Sequence, residues 1–321
     1  AAPPDPAALA ARPWRATIPA ATITTSFSAM VSTQADDEAG ASIAWQEIIE
    51  RPDHDQQSMA EEPSMIEAPA PSAGTPASIR FRFPAGPHAG VCLHGILEES
   101  RFDAPLDRAA VAGRLARSGY RGIDAGEVSA WLEEAVAAPL QGPGGETLRL
   151  AEVAPACQVR ELDFLLAGHG VSQVALIEAV GGEFALELEA GTARWRGFLR
   201  GFIDLVFEQH GRYYVLDWKS NHLGDEAHHY GPASLAASMQ AHAYSLQACL
   251  YTLALHRWLR RCLPGYDYER HIGGALYVFL RGAGMASPAP AGVGVHALRP
   301  GARLIRTLDR LLGAPRGAAS S

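Results

Sequence analysis

The chain has 321 residues, 48% hydrophobic and 19% charged, with a formal net charge of −8; this is enough apolar material for one large or two small domains, and the acidic balance argues against a generally basic nucleic-acid binder while leaving room for a local basic channel. No uninterrupted apolar run approaches the roughly 18 residues a membrane-spanning helix needs, and the first residues lack the basic start and hydrophobic block of a signal peptide, so no membrane association is expected and the cytoplasm is the default compartment. Cys92, Cys157, Cys249 and Cys262 show no CxxC spacing, so neither a zinc ribbon nor a four-cysteine iron–sulfur site is signalled, and the four scattered thiols read as reduced and structural.

Residues 1–33 form a first segment, and because the chain begins at Ala1 without methionine, an upstream region is expected before it. Within it, Thr24 to Met30 offers helix-capping residues ahead of a short apolar turn. Residues 34–80 carry Asp36, Asp37, Glu38, Glu61 and Glu62 and then a Pro/Ala/Ser tract, the composition of a flexible linker or insertion. The main domain is expected over 81–313, followed by a disordered tail at 314–321.

Three helical patterns open that domain: Gly90 to Arg101, with Leu93, Ile96 and Leu97 as the buried stripe and His94 and Glu98 stacked one turn apart; Leu106 to Ser118; and Glu127 to Ala138. From Cys157 the character changes to strand-like runs: Gln158 to Leu166, part of Gln173 to Leu188, Leu199 to Phe207 and Tyr213 to Lys219. A long helix follows, from about Ser234, a plausible N-cap, to Arg261, and its Gln240, Tyr244, Gln247 and Tyr251 recur along one face. A strand at Gly274 to Leu280 and a helix at Arg303 to Leu312 complete an α+β chain with a small mixed sheet flanked by helices.

The most informative stretch is GFIDLVFEQHGRYYVLDWKSN, residues 201–221. A strand sends alternate side chains to opposite faces, so Tyr213, Val215, Asp217 and Lys219 share one side while Tyr214, Leu216 and Trp218 share the other. In the preceding strand, Asp204 interrupts the apolar run of Phe202, Ile203, Leu205, Val206 and Phe207, a costly place for a carboxylate unless something compensates it. If His210-Gly211 is a two-residue turn, Asp204 lies opposite Asp217; a longer turn over Glu208 to Gly211 makes them diagonal, still on one face. Facing carboxylates destabilise a plain sheet, and a shared hard cation such as Mg²⁺ removes that conflict.

This hairpin, together with GVCLHGILEE (90–99), QAHAYSLQACLYTLALHRWLR (240–260) and YDYERHIGGALYVFLRG (266–282), resembles the C-terminal nuclease domain of RecB, the β subunit of exodeoxyribonuclease V, a member of the PD-(D/E)xK nuclease superfamily. The resemblance covers roughly residues 86 to 313. It implies a restriction-endonuclease-like core and a Mg²⁺-dependent deoxyribonuclease domain of a helicase–nuclease acting in double-strand break repair and DNA degradation, with Mn²⁺ or Ca²⁺ able to occupy the same site. By resemblance, His94, Asp204, Asp217 and the backbone carbonyl of Trp218 match the metal ligands and Lys219 the catalytic lysine. Gln247 and Tyr251 match a QxxxY motif beside the active site. The implied partners are DNA, as single strands fed by a helicase, and subunits equivalent to RecC and RecD; no Walker A motif occurs in these residues.

Glu98 and Glu161 are second-tier carboxylates near this set, and Tyr244, Gln247 and Tyr251 are candidates for contacts to substrate phosphates or a stacked base. The histidines His222, His228, His229, His242 and His256 match no zinc spacing and read as mostly surface. Arg257, Arg260 and Arg261 fit either a phosphate-facing patch or cations at a helix C-terminus. The competing functional reading is a catalytically silent nuclease fold serving as a docking or DNA-binding module in a larger complex.

Overall fold

The structure, a computed structural model, describes residues 23–25, 78–186, 188, 194–285 and 293–313. In chain order these form β1 (Ile23–Thr25), α1 (Ile79–Arg82), α2 (Pro87–Glu99), α3 (Arg108–Arg117) and α4 (Ala125–Ala137). A small hairpin, β2 (Leu140–Gln141) with β3 (Thr147–Leu148), leads to the long strand β4 (Gln158–Ser172) and to α5 (Gln173–Gly181). Then come β5 (Arg194–Gln209), β6 (Arg212–Lys219), α6 (Pro232–Ala241), α7 (Tyr244–Cys262), α8 (Tyr268–His271), β7 (Ile272–Phe279), β8 (Val295–Leu298) and α9 (Ala302–Leu311).

Strands β4 and β5 to β8, joined by β1, make one mixed sheet with α+β character. Strand β5 is its hub. One edge pairs antiparallel with β4 along most of its length, while the other pairs parallel with β1 at Gly197–Leu199 and antiparallel with β6 at Leu205–Gln209. Strand β6 continues parallel to β7, and β7 runs antiparallel to β8.

The β5–β6 turn follows the two-residue pattern. Leu205 faces Leu216 and Gln209 faces Arg212, with His210 at φ 58° and Gly211 at φ 76°, the left-handed pair that matches the twist of a tight hairpin. Alternation along β6 divides two cores as expected: Val215 packs with Ile203, Tyr277 and helices α5, α6, α7 and α9 on one face. Tyr214, Leu216 and Trp218 pack with α1 to α4 on the other.

Three expectations are corrected. The segment beginning at Gln173 is helical rather than a strand, because Leu176 and Val180 fall one turn apart on the buried side and the Ser172 hydroxyl caps Ala175 N–H at 3.4 Å. The long helix is two helices: it starts after Gly231 with Pro232 in its first turn, instead of at Ser234, and breaks at Ala243, which is buried in the left-handed conformation at φ 54°. Thr24 and Thr25 lie in β1 and do not cap a helix; the rest of that motif, the 34–77 part of the expected linker and the tail at 314–321 lie outside the described residues. No described helix is long and apolar enough to cross a membrane.

Candidate active site

The two longest strands lose their regular alternation at one level. In β5, Ile203 and Val206 both face the α7 core while Leu205 faces the α2 core. In β4, Val159 and Leu162 show the same three-residue spacing. Arg160 pairs with Leu205 and Leu162 with Ile203, so Glu161 and Asp204 lie between these pairs. Glu161 adopts φ 46°, a conformation that costs a side-chain-bearing residue about 1–3 kcal/mol and that tends to be kept where function needs it.

At this level β6 also leaves β5. The ladder ends at Leu205 and Leu216, one pair short of Asp204 and Asp217, so the two aspartates are not a cross-strand pair. Instead Asp204 Oδ2 accepts the Trp218 N–H at 2.8 Å, taking the place of a ladder carbonyl in the gap between β1 and β6. From α2, His94 places Nδ1 3.3 Å from the same oxygen. Burial alone would lower the His94 pKa, but the Asp204 carboxylate outweighs it and raises it above the usual value.

Asp217 and Lys219 point to the α7 side of β6. They are 4% and 2% exposed, with Nζ 2.8 Å from Asp217 Oδ2, 3.4 Å from Gln247 Oε1 and 3.9 Å from the centre of the Tyr244 ring. Gln247 Nε2 donates to the Tyr251 hydroxyl at 3.0 Å. Burial pushes the Asp217 pKa up to about 7, with Lys219 opposing and Asp204 adding to the rise. Burial and the Asp204 and Glu98 carboxylates push Glu161 up to about 7 as well.

A small pocket opens onto this cluster, lined by His94, Glu98, Phe102, Arg160, Glu161, Asp204 and Trp218 among others. Among the described residues, no three His, Cys, Asp or Glu side chains already converge as a cage, since Asp217 is turned to Lys219. The donor chemistry nevertheless fits a divalent cation: the Asp204 carboxylate, which adds to the raised pKa values of Asp217 and Glu161, and the His94 imidazole are an oxygen-and-nitrogen set for a hard or borderline ion. Trp218 adds a main-chain donor. The next carbonyl, of Lys219, accepts from Leu280 N–H toward β7 at 2.9 Å, so strand alternation turns the Trp218 carbonyl to the opposite edge, where Asp204 lies.

Each expected site residue therefore joins one of two adjoining groups, His94–Asp204–Trp218 and Asp217–Lys219–Gln247–Tyr251. Glu98 and Glu161 line the pocket. Tyr244, Gln247 and Tyr251, the candidates for contact with substrate, are buried, with Gln247 and Tyr244 packed against Lys219. Arg257 and Arg260 bind Asp309, Arg257 through Nε at 2.6 Å, and Arg257 also donates to the Asp309 and Leu312 carbonyls; these two tie α7 to α9. His222 pairs with Asp225, His242 with the Ser238 carbonyl and His256 with Tyr266, so these histidines do not converge.

Two residues at the site had no sequence signal singling them out. Arg160, in a strand of mixed polarity, bonds the Leu97 and Glu98 carbonyls at 2.9 and 2.8 Å and that of Ser100, and its guanidinium lies 4.2 Å over Phe102; it clamps the end of α2 that carries His94. Tyr277, inside the apolar run of β7, meets Gln247 and Tyr244.

Comparison with known proteins finds relatives of this chain. A family model described as the PD-(D/E)XK nuclease superfamily matches residues 77–311. The chain is 37% identical over 235 residues to the RecBCD enzyme subunit RecB of Escherichia coli (strain K12), covering 72% of this chain and 19% of that protein. It is 34% identical over 286 residues to the subunit of the same name from Mycobacterium tuberculosis (strain ATCC 25618 / H37Rv), covering 79% and 26%. To that of Mycolicibacterium smegmatis it is 30% identical over 346 residues, covering 97% and 31%. The chain thus spans between about a fifth and a third of the length of these relatives.

Proposed function

The chain belongs to the PD-(D/E)XK nuclease superfamily, as a domain of the RecB type, and from that premise we propose that it hydrolyses DNA phosphodiester bonds with Mg²⁺ or Mn²⁺. The observation that carries the reading is the split between β5 and β6, where Asp204 and His94 meet beside the buried Asp217–Lys219 pair. Asp204, Asp217, His94 and the Trp218 carbonyl would hold the cation. When bound, it supplies a lowered pKa for a water and neutralises charge on the phosphate. Lys219 orients the attacking water and offsets charge on the phosphate oxygens. Hydrolysis forms a bond from the water oxygen to phosphorus and breaks the bond to the 3′ oxygen, which takes up a proton. Gln247 and Tyr251 act through Lys219, as positioning residues.

The relatives are named as subunits of a RecBCD enzyme, which supports placing this chain in a helicase–nuclease of DNA repair, receiving single strands from a motor and meeting RecC-like and RecD-like subunits. Incubating the full chain with labelled single-stranded DNA tests the reading. Degradation with Mg²⁺, none with chelator, and loss on Lys219→Ala or Asp217→Ala is expected. Undiminished cleavage by both variants refutes the assignment, and cation binding without cleavage favours the docking-module alternative.

A further inference from the structure

Lys219 is held by a shell deeper than the two helix residues of the QxxxY pattern, and that shell ends on β7. Tyr277 stands in direct parallel register with Asp217, on the face covered by α7, and is 1% exposed. Its hydroxyl lies 3.0 Å from Gln247 Oε1 and 3.0 Å from the Tyr244 carbonyl. Gln247 is equally buried, and its amide has two unlike ends. The amino end donates to Tyr251 and the oxygen faces the Lys219 ammonium. An ammonium only donates, so a flipped amide would set donor against donor beside the cation.

From this arrangement we infer that Tyr277 is a positioning residue for the cleavage reaction: its hydroxyl, which shares its one proton between Gln247 Oε1 and the Tyr244 carbonyl, holds the amide with its oxygen toward Lys219 and so fixes the ammonium beside Asp217. The inference rests on the nuclease reading and extends it to a residue outside the QxxxY motif. Tyr277 is 1% exposed and acts through Gln247 on Lys219, so its contribution appears in turnover and not in DNA or metal affinity. Losing one hydrogen bond to a group that itself holds a charge corresponds to roughly five- to tenfold in rate.

The test is Tyr277→Phe in the full chain, with Tyr268→Phe as control. Tyr268 is another buried tyrosine, bonded to the Pro300 carbonyl at 2.5 Å, so its variant matches the chemical change away from Lys219. Expected for Tyr277→Phe is a roughly five- to tenfold fall in kcat, with KM for single-stranded DNA and calorimetric Mg²⁺ affinity unchanged, whereas Tyr268→Phe keeps its kcat. Tyr277→Phe is then added to Gln247→Leu, or to Gln247→Met, which is close in size and lacks the carbonyl acceptor, if the first does not fold; it is expected to cost nothing further there. An unchanged kcat in the single variant, or the same loss in both backgrounds, overturns the inference while leaving the nuclease reading intact. Failure of the unaltered chain to cleave with Mg²⁺ removes the nuclease reading and this inference with it.

Discussion

Glu161→Gln offers a quantitative test of the crowded carboxylates at the split in the sheet. Burial, followed by Asp204 and Glu98, raises the Glu161 pKa from 4.5 to about 7. A carboxyl whose pKa is raised on folding binds its proton more tightly in the native state. It therefore costs nothing below pH 4.5, and stability falls as pH rises toward 7. The full shift corresponds to roughly 3 kcal/mol at about 1.4 kcal/mol per pKa unit; discounted for partial solvent screening, about 2 kcal/mol applies at pH 8 and about 0.5 kcal/mol at pH 5. Glutamine keeps the shape and drops the charge. In chelator, thermal melts should show Glu161→Gln more stable than the unaltered chain by roughly 4–8 °C at pH 8 and by no more than about 2 °C at pH 5. Equal differences at the two pH values would refute the reasoning, because they would place the carboxylate outside the charged cluster.

Other parts of the fold give sharper structural predictions. Arg281 is fully buried and spends its guanidinium on the Arg80, Phe83, Pro84 and Ser220 carbonyls; Arg281→Leu leaves these without a donor and should cost at least about 3 kcal/mol in denaturant titration. Arg257→Ala releases α9 from α7 and should cost about 1–2 kcal/mol in the same assay, with kcat per folded molecule unchanged. Gly211→Val puts a branched side chain at φ 76°, and a stability loss of about 1–2 kcal/mol is expected from melting curves.

Much of the site was legible because it obeys short-range rules. Strand alternation put Asp217 and Lys219 together, the His210-Gly211 turn set the register, and Asp204 stood out as a carboxylate in an apolar run. What the residues alone hid depends on distant contacts. The run Val174-Ala175-Leu176-Ile177 is too uniformly apolar to show a period, so helix and strand looked alike until Leu176 and Val180 were seen packing on one side. The break at Ala243 has neither glycine nor proline to announce it; packing of α7 over Lys219 overrides local preference. Asp204 and Asp217 miss direct opposition because the ladder ends before them, which follows from like-charge repulsion and the competing Trp218 N–H. Tyr277 and Arg160 read as ordinary strand residues, since their roles exist only once α7 and α2 lie against the sheet.

The gap between β5 and β6 is proposed as a cation site built on Asp204, Asp217 and His94. Calorimetric titration of the chelator-treated full chain with Mn²⁺ tests it most directly, comparing the unaltered protein with Asp204→Asn and Asp217→Asn after melting curves establish that both variants fold. Saturable binding to the unaltered chain, weakened at least roughly tenfold in each variant, is the predicted result. Equal binding by all three, or none by the unaltered chain, would contradict it.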